Sequence, residues 1–124
     1  ATREAVLDLF PVLRERLSQR SGTLSGGEQQ MLAMARAPCL EPDVLLLDEP
    51  TEGLMPSMIA RIRETVGELR RRGVSTILVE QRVDAVLSVA DRVLFMENGR
   101  SRQTIDVEDL RRDPDAVKRY VGVG

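Results

Sequence analysis

Histidine is absent from the 124 residues, and cysteine occurs once, as Cys39. Without an imidazole there is no Ser-His-Asp triad and no histidine acid, base or nucleophile, and a zinc site has no ligand set to draw on. The lone thiol excludes an internal disulfide and a thiolate metal cluster, and is read as a small buried hydrophobe. Lysine also occurs once, at Lys118 between Val117 and Arg119, so the phosphate-cradling loop G-x-x-x-x-G-K-[ST] is missing. Charge of one sign is lacking too: 18 basic residues against 20 acidic leave a net charge of -2, with no basic footprint for nucleic acid or an anionic membrane. No apolar run approaches the roughly 20 residues needed to span a bilayer. The start, Ala1-Thr2-Arg3-Glu4-Ala5, has none of the basic-then-apolar layout of a signal peptide, so a cytoplasmic chain is expected. Chemistry must rest on carboxylates, backbone dipoles or a bound metal ion.

What is present is an ordinary apolar share of 42%, enough for one core. Val6, Leu9, Leu13 and Leu17 keep helical spacing, and Pro11 divides them into two short helices because it fits a first turn best. After the loop Ser21-Gly22-Thr23, Ser25 and Glu28 match the S-x-x-E capping box of a third helix, which runs to about Ala37 and is stopped by Pro38. Met31 and Met34 on it are core filling. Val44-Leu45-Leu46-Leu47 has the pattern of a strand covered on both faces of a parallel sheet. Pro56 opens a helix with the stripe Ile59, Ile62, Val66 and Leu69, closed by Gly73 as a C-cap. A strand over 74–79, a helix over 83–89 and a strand over 92–97 follow, the last turned into a hairpin by Asn98-Gly99. Strand, helix, strand, helix, strand predicts a parallel α/β sheet, with helices over 106–112 and 115–120 as a tail.

Two segments carry chemistry. Leu24-Ser25-Gly26-Gly27-Glu28-Gln29-Gln30 places a serine and two glycines at the mouth of a helix. Unpaired amides and the positive end of the helix dipole bind anions there, and glycine lets a phosphate approach the backbone. A plain capped helix after a flexible loop would carry the same residues. Val44-Leu45-Leu46-Leu47-Asp48-Glu49-Pro50 places two adjacent carboxylates at the carboxyl end of an apolar strand, the edge at which α/β sheets bind ligands. Asp48 suits a Mg²⁺ ion that takes its other ligands from phosphate and water, and Glu49 suits the orientation or deprotonation of an attacking water. Adjacent strand residues face opposite ways, so both roles require the backbone to break at Glu49, as Pro50 favours. The bland alternative is a strand ending in a solvated acidic turn.

Taken together, Leu24 to Gln30, Ala35-Arg36-Ala37 and Leu45 to Thr51 at this spacing resemble the ABC transporter ATPases. Within them, Glu52-Gly53-Leu54-Met55-Pro56-Ser57 and Ile77-Leu78-Val79-Glu80-Gln81 resemble subunits that import branched-chain amino acids, urea or short amides. The resemblance implies an α/β fold, the C-terminal half of a P-loop NTPase domain of the ABC type. Residues 1–37 would end the helical subdomain with the signature motif, 38–105 would hold the C-terminal part of the catalytic core with Walker B and the switch, and 106–124 would form a helical tail. It implies ATP and Mg²⁺ as cofactors, with Asp48 on the metal, Glu49 and Gln81 as catalytic groups, and Ser25, Gly26, Gly27 and Glu28 as the signature that contacts ATP held by a second ATPase subunit. The implied partners are that subunit, transmembrane permease subunits and, indirectly, a solute-binding protein, on the inner face of the cell membrane and without nucleic acid.

Several positions depart from the family pattern. With no P-loop, no upstream aromatic to stack adenine and no glutamine loop, the chain is expected to be about half a subunit, inactive alone. Gln81 stands at the switch position that usually carries histidine. It can donate to a phosphate oxygen but carries no proton or charge, which puts weight on Glu49 as base. Met55 stands where many relatives have an interface aspartate, and Pro38 where the signature helix usually continues. A chromosome or DNA-repair ATPase lobe is a rival reading, but it should be entered by a long heptad coiled coil and Pro11 interrupts the helices before Leu24. A non-catalytic interaction fragment is another.

Overall fold

A computed structural model describes residues 2–121 of the chain. They form two compact units, one ending at Gln81 and the other beginning at Arg82.

In the first unit Pro11 divides helix α1 (Thr2–Leu9) from helix α2 (Pro11–Glu15), and Phe10 at the break is fully buried beside Val6, Leu7 and Leu13. A 3₁₀ turn at Ser21–Thr23 leads to helix α3 (Gly26–Arg36), whose buried Met31, Met34 and Ala35 are the core filling the spacing predicts. The helix ends before Pro38, and a second 3₁₀ turn, Pro38–Leu40, follows. Cys39 sits on that turn and is exposed, contrary to the buried position expected of it. Its thiol donates to the Ala35 carbonyl at 3.4 Å, because the turn that follows a proline stop projects from the end of the helix instead of continuing its buried stripe.

Strand β1 (Val44–Asp48) pairs in parallel with β2 (Ser75–Val79), with Leu46 opposite Ile77 and Asp48 opposite Val79. Helix α4 (Pro56–Arg71) makes the crossover and buries Ile62, Thr65, Val66 and Leu69, while Ile59 of the expected stripe is half-buried. Each such aliphatic side chain contributes about 1.5–3 kcal/mol when removed from water. The C-cap at Gly73 is as expected: its φ is +87°, its N–H donates to the Arg70 carbonyl at 3.0 Å, and the Val74 N–H donates to the Leu69 carbonyl at 2.9 Å. That pair of bonds is a Schellman motif.

The apolar run of β1 is not covered on both faces. Leu45 and Leu47 are buried, but Val44 and Leu46 are exposed at 52% and 71%, as are Ile77 and Val79 on the same face of β2. Among the described residues of this unit, one face of the sheet has a packed layer and the other does not.

The second unit holds helix α5 (Val83–Val89), strand β3 (Arg92–Glu97), strand β4 (Arg100–Asp106), helix α6 (Val107–Arg112) and helix α7 (Pro114–Val121). Here the third strand takes the expected hairpin but departs from the expected parallel sheet: β3 pairs antiparallel with β4, and among the described residues the parallel pairing is between β1 and β2. The reason is local. Asn98 and Gly99 both take positive φ, 51° and 75°, the geometry of a tight hairpin turn that returns the chain directly beside β3.

Candidate functional site

The first element is the mouth of α3. Ser25 Oγ accepts from the Glu28 N–H at 3.2 Å and Glu28 Oε1 accepts from the Ser25 N–H at 3.0 Å, the reciprocal pair of a capping box. Glu28 also pairs with Arg16 at 2.9 Å. The Ser25 amide, first of all, and then Arg16 hold its carboxyl below the ordinary glutamate range. Glu28 is therefore committed to the cap and to Arg16. Helix geometry leaves the amides of Gly26 and Gly27 without an intrahelical acceptor, at the positive end of the dipole.

The two glycines differ in what surrounds them. A Cβ on Gly26 would meet nothing within 4 Å, whereas one on Gly27 would fall on the Met58 sulfur. Gly26 keeps the mouth open, and Gly27 lets α3 press against the first turn of α4.

The second element is the end of β1. The strand stops at Asp48, and Glu49 takes φ +49°, a left-handed conformation that costs a non-glycine residue about 1–3 kcal/mol. The break expected at Glu49 is there, made by a left-handed residue instead of an extended one. Its N–H donates to the Val79 carbonyl at 2.7 Å, which holds the turn to the end of β2. Thr51, buried, donates through Oγ1 to Glu80 Oε1 at 2.7 Å, and Gln30 Nε2 of α3 donates to the Pro50 carbonyl at 3.1 Å.

These bonds frame an open polar cleft of about 450 Å³ lined by Gln30, Asp48, Glu49 and Glu52. Partial burial pushes the Glu49 carboxyl above the ordinary glutamate range. The neighbouring Glu80 carboxyl pushes it the same way, and the Gln81 N–H, which Glu49 accepts, opposes part of the rise. Glu80 Oε2 is buried with no hydrogen-bond partner among the described residues.

Asp48, Glu49 and the Gln81 backbone thus come together, while the Gln81 side chain is exposed. Ser25, Gly26 and Gly27 do not line the cleft. Met55, at the N-cap of α4, is 59% exposed and makes no side-chain cap. Gln30, Glu52, Thr51 and Glu80 were not singled out from the sequence. All four lie inside segments quoted from the sequence, but only contacts across the fold give them work.

Among the described residues no cluster of three metal-ligating side chains occurs. The donor set still fits a hard divalent cation of the magnesium kind, which binds through one or two carboxylates and completes its shell with phosphate and water. Asp48, exposed at the cleft, is such a carboxylate.

A carboxylate pair at the carboxyl end of a parallel strand, in a turn tied to a glycine-mouthed helix, suits phosphate together with a divalent cation. The ABC transporter pattern matches residues 3–52. The chain is 55% identical over 119 residues to a high-affinity branched-chain amino acid transport ATP-binding protein, BraG, of Pseudomonas aeruginosa, covering 96% of this chain and 51% of that protein. It is 45% identical over 98 residues to a probable branched-chain amino acid transport ATP-binding protein, LivF, of Archaeoglobus fulgidus, covering 78% and 42%. A solved ATP-binding cassette of an ABC transporter superposes with a TM-score of 0.81 at 26% identity, over 99% of this chain and 49% of the other. The chain is thus similar in sequence and in fold to the ATP-binding proteins of ABC transporters. It spans about half the length of the curated relatives it matches.

Proposed function

We propose that this chain is the signature, Walker B and switch portion of a subunit that hydrolyses ATP to drive import of branched-chain amino acids across a membrane. The relatives reported above carry that solute class in their names, which favours it over urea or short amides. The uncovered apolar face of β1 and β2 supports completion of the sheet by a further layer carrying the P-loop.

The observation that carries the reading is the left-handed turn at Glu49, which swings its carboxylate out of the strand and into the cleft beside Asp48. Asp48 would hold Mg²⁺, which when bound neutralises charge on the phosphates. Glu49 is the base: its raised proton affinity suits it to take a proton from water as the water oxygen bonds to the γ-phosphorus and the bond to the β–γ bridging oxygen breaks, leaving ADP and phosphate. Gln81 donates to a γ-phosphate oxygen. Ser25, Gly26 and Gly27 present the helix mouth to the γ-phosphate bound by a second ATPase subunit, with Glu28 fixing the shape of that mouth. Permease subunits would receive the resulting motion, and a solute-binding protein would deliver the solute to them.

In the full-length subunit Glu49→Gln should lower turnover about 10²- to 10⁴-fold while leaving ATP binding in place. Near-normal hydrolysis by that variant would remove Glu49 as the base. The 124-residue chain alone should show no tight Mg-ATP binding by calorimetry, and should acquire it when mixed with a separately produced P-loop half. Binding without the mixing would contradict the reading.

A further inference from the structure

The bond from Gln30 to the Pro50 carbonyl joins two things the proposed function separates. On that reading the mouth of α3 serves a nucleotide held by the partner subunit, and the Asp48–Thr51 turn serves the nucleotide of its own subunit. Yet Gln30 is one turn along α3 from Gly26 and Gly27, and its side-chain amide donates across 20 residues of chain to the carbonyl that follows Glu49. Gln30 also lines the cleft with Asp48, Glu49 and Glu52. A second contact binds the same parts together: Gly27 packs against Met58 in the first turn of α4, the helix that follows the turn. On its far side the turn is tied to β2 by the Glu49 amide and by Thr51 to Glu80.

We infer that Gln30 is a positioning residue, whose amide holds the Pro50 carbonyl so that the phosphate-accepting mouth of α3 and the water-activating turn of the same chain form one block. The inference rests on the proposed function for its consequence, that displacement of the mouth by the partner's γ-phosphate moves the Glu49 turn of the other site. The bond itself is independent of that reading. It needs a donor at position 30 long enough to span 3.1 Å to a carbonyl, and Met, of similar length, has none.

The test uses the full-length dimer made from two differently tagged copies, one carrying Glu49→Gln so that a single site turns over. The surviving site takes its turn from the copy with Glu49 and its helix mouth from the other. Gln30→Met is placed on one copy at a time. A block predicts that either placement lowers kcat about fivefold, the size expected for one hydrogen bond, with KM for ATP changed less than twofold. Loss at only one placement, or at neither, overturns the inference.

Amide hydrogen exchange of the peptide over 48–55 in the Gln30→Met full-length protein is the second measurement, and it does not depend on turnover. Exchange several-fold faster than in the unmodified protein, with Gln30→Lys restoring protection, supports the tether, and unchanged protection overturns it. An unmodified dimer that hydrolyses no ATP would instead break the proposed function, and the exchange result would still decide whether Gln30 holds the turn.

Discussion

The mouth of α3 and the turn after β1 are built over different ranges of chain. At the mouth, Ser25 and Glu28 exchange hydrogen bonds across three residues, so the capping box itself lies within one helical turn, with Arg16 added to Glu28 from the segment just before it. At the turn, the bonds that matter reach 20 residues back to Gln30 and 29 residues forward to Glu80. The mouth can form with its helix, whereas the turn exists only after β1, β2 and α3 have come together. Their electrostatics differ in the same way. The mouth pulls a carboxyl down, through a backbone amide and an arginine, while the turn pushes one up, through burial and a neighbouring carboxyl.

That contrast can be broken by substitution. The largest effect on stability is expected from Thr51→Val. It keeps the shape but removes the donor to Glu80, and leaving a half-buried carboxylate oxygen without a partner costs about 1–2 kcal/mol. A denaturation midpoint unchanged by that variant would mean the long-range tie carries no load.

In the full-length subunit the methyl of Gly27→Ala falls on the Met58 sulfur, the mobile end of a half-buried flexible side chain that must swing aside, so a small drop in melting temperature is expected, removed by Met58→Ala. Gly26→Ala, one residue away and facing open space, should not lower it, and equal losses at the two positions would show that the packing against α4 is not what distinguishes them.

The smallest effect is the pH dependence at the mouth. Because the folded protein holds Glu28 below its ordinary range, its ionised carboxylate contributes stability that is complete above the unfolded value and is lost as pH falls through the folded one. Glu28→Gln keeps the capping-box geometry without the charge. Melting curves for the two proteins should therefore differ by a constant amount near neutrality and converge in acid, and a gap that persists in acid would assign the difference to packing.

The same split explains what could be read in advance. The capping box, the Pro11 break, the Gly73 cap and the Asn98-Gly99 hairpin follow from residues within a few positions of one another, and all are present. The carboxylate pair and the break between Asp48 and Glu49 were legible because Pro50 is adjacent. That β3 pairs with β4 and not also with the parallel pair was not legible, since the hairpin turn gave its antiparallel neighbour while the alternation of strand and helix fitted a third parallel strand equally well. Nor was the exposure of Val44 and Leu46. Four apolar residues in a row fit a strand with two covered faces, and whether a layer packs on each is a property of the assembled sheet.

By itself the sequence determined the helix caps, the turns, the absence of a P-loop and of imidazole chemistry, and the two motifs in which the phosphate chemistry is concentrated. Those depend on residue types at short, fixed spacings. Only the tertiary structure decided that Gly27 serves α4 and Gly26 the open mouth, that Glu80 stands beside Glu49, and that Gln30 reaches the Pro50 carbonyl. Each is a contact between segments far apart in the chain, and such contacts are set by how the strands and helices pack, which no local spacing encodes.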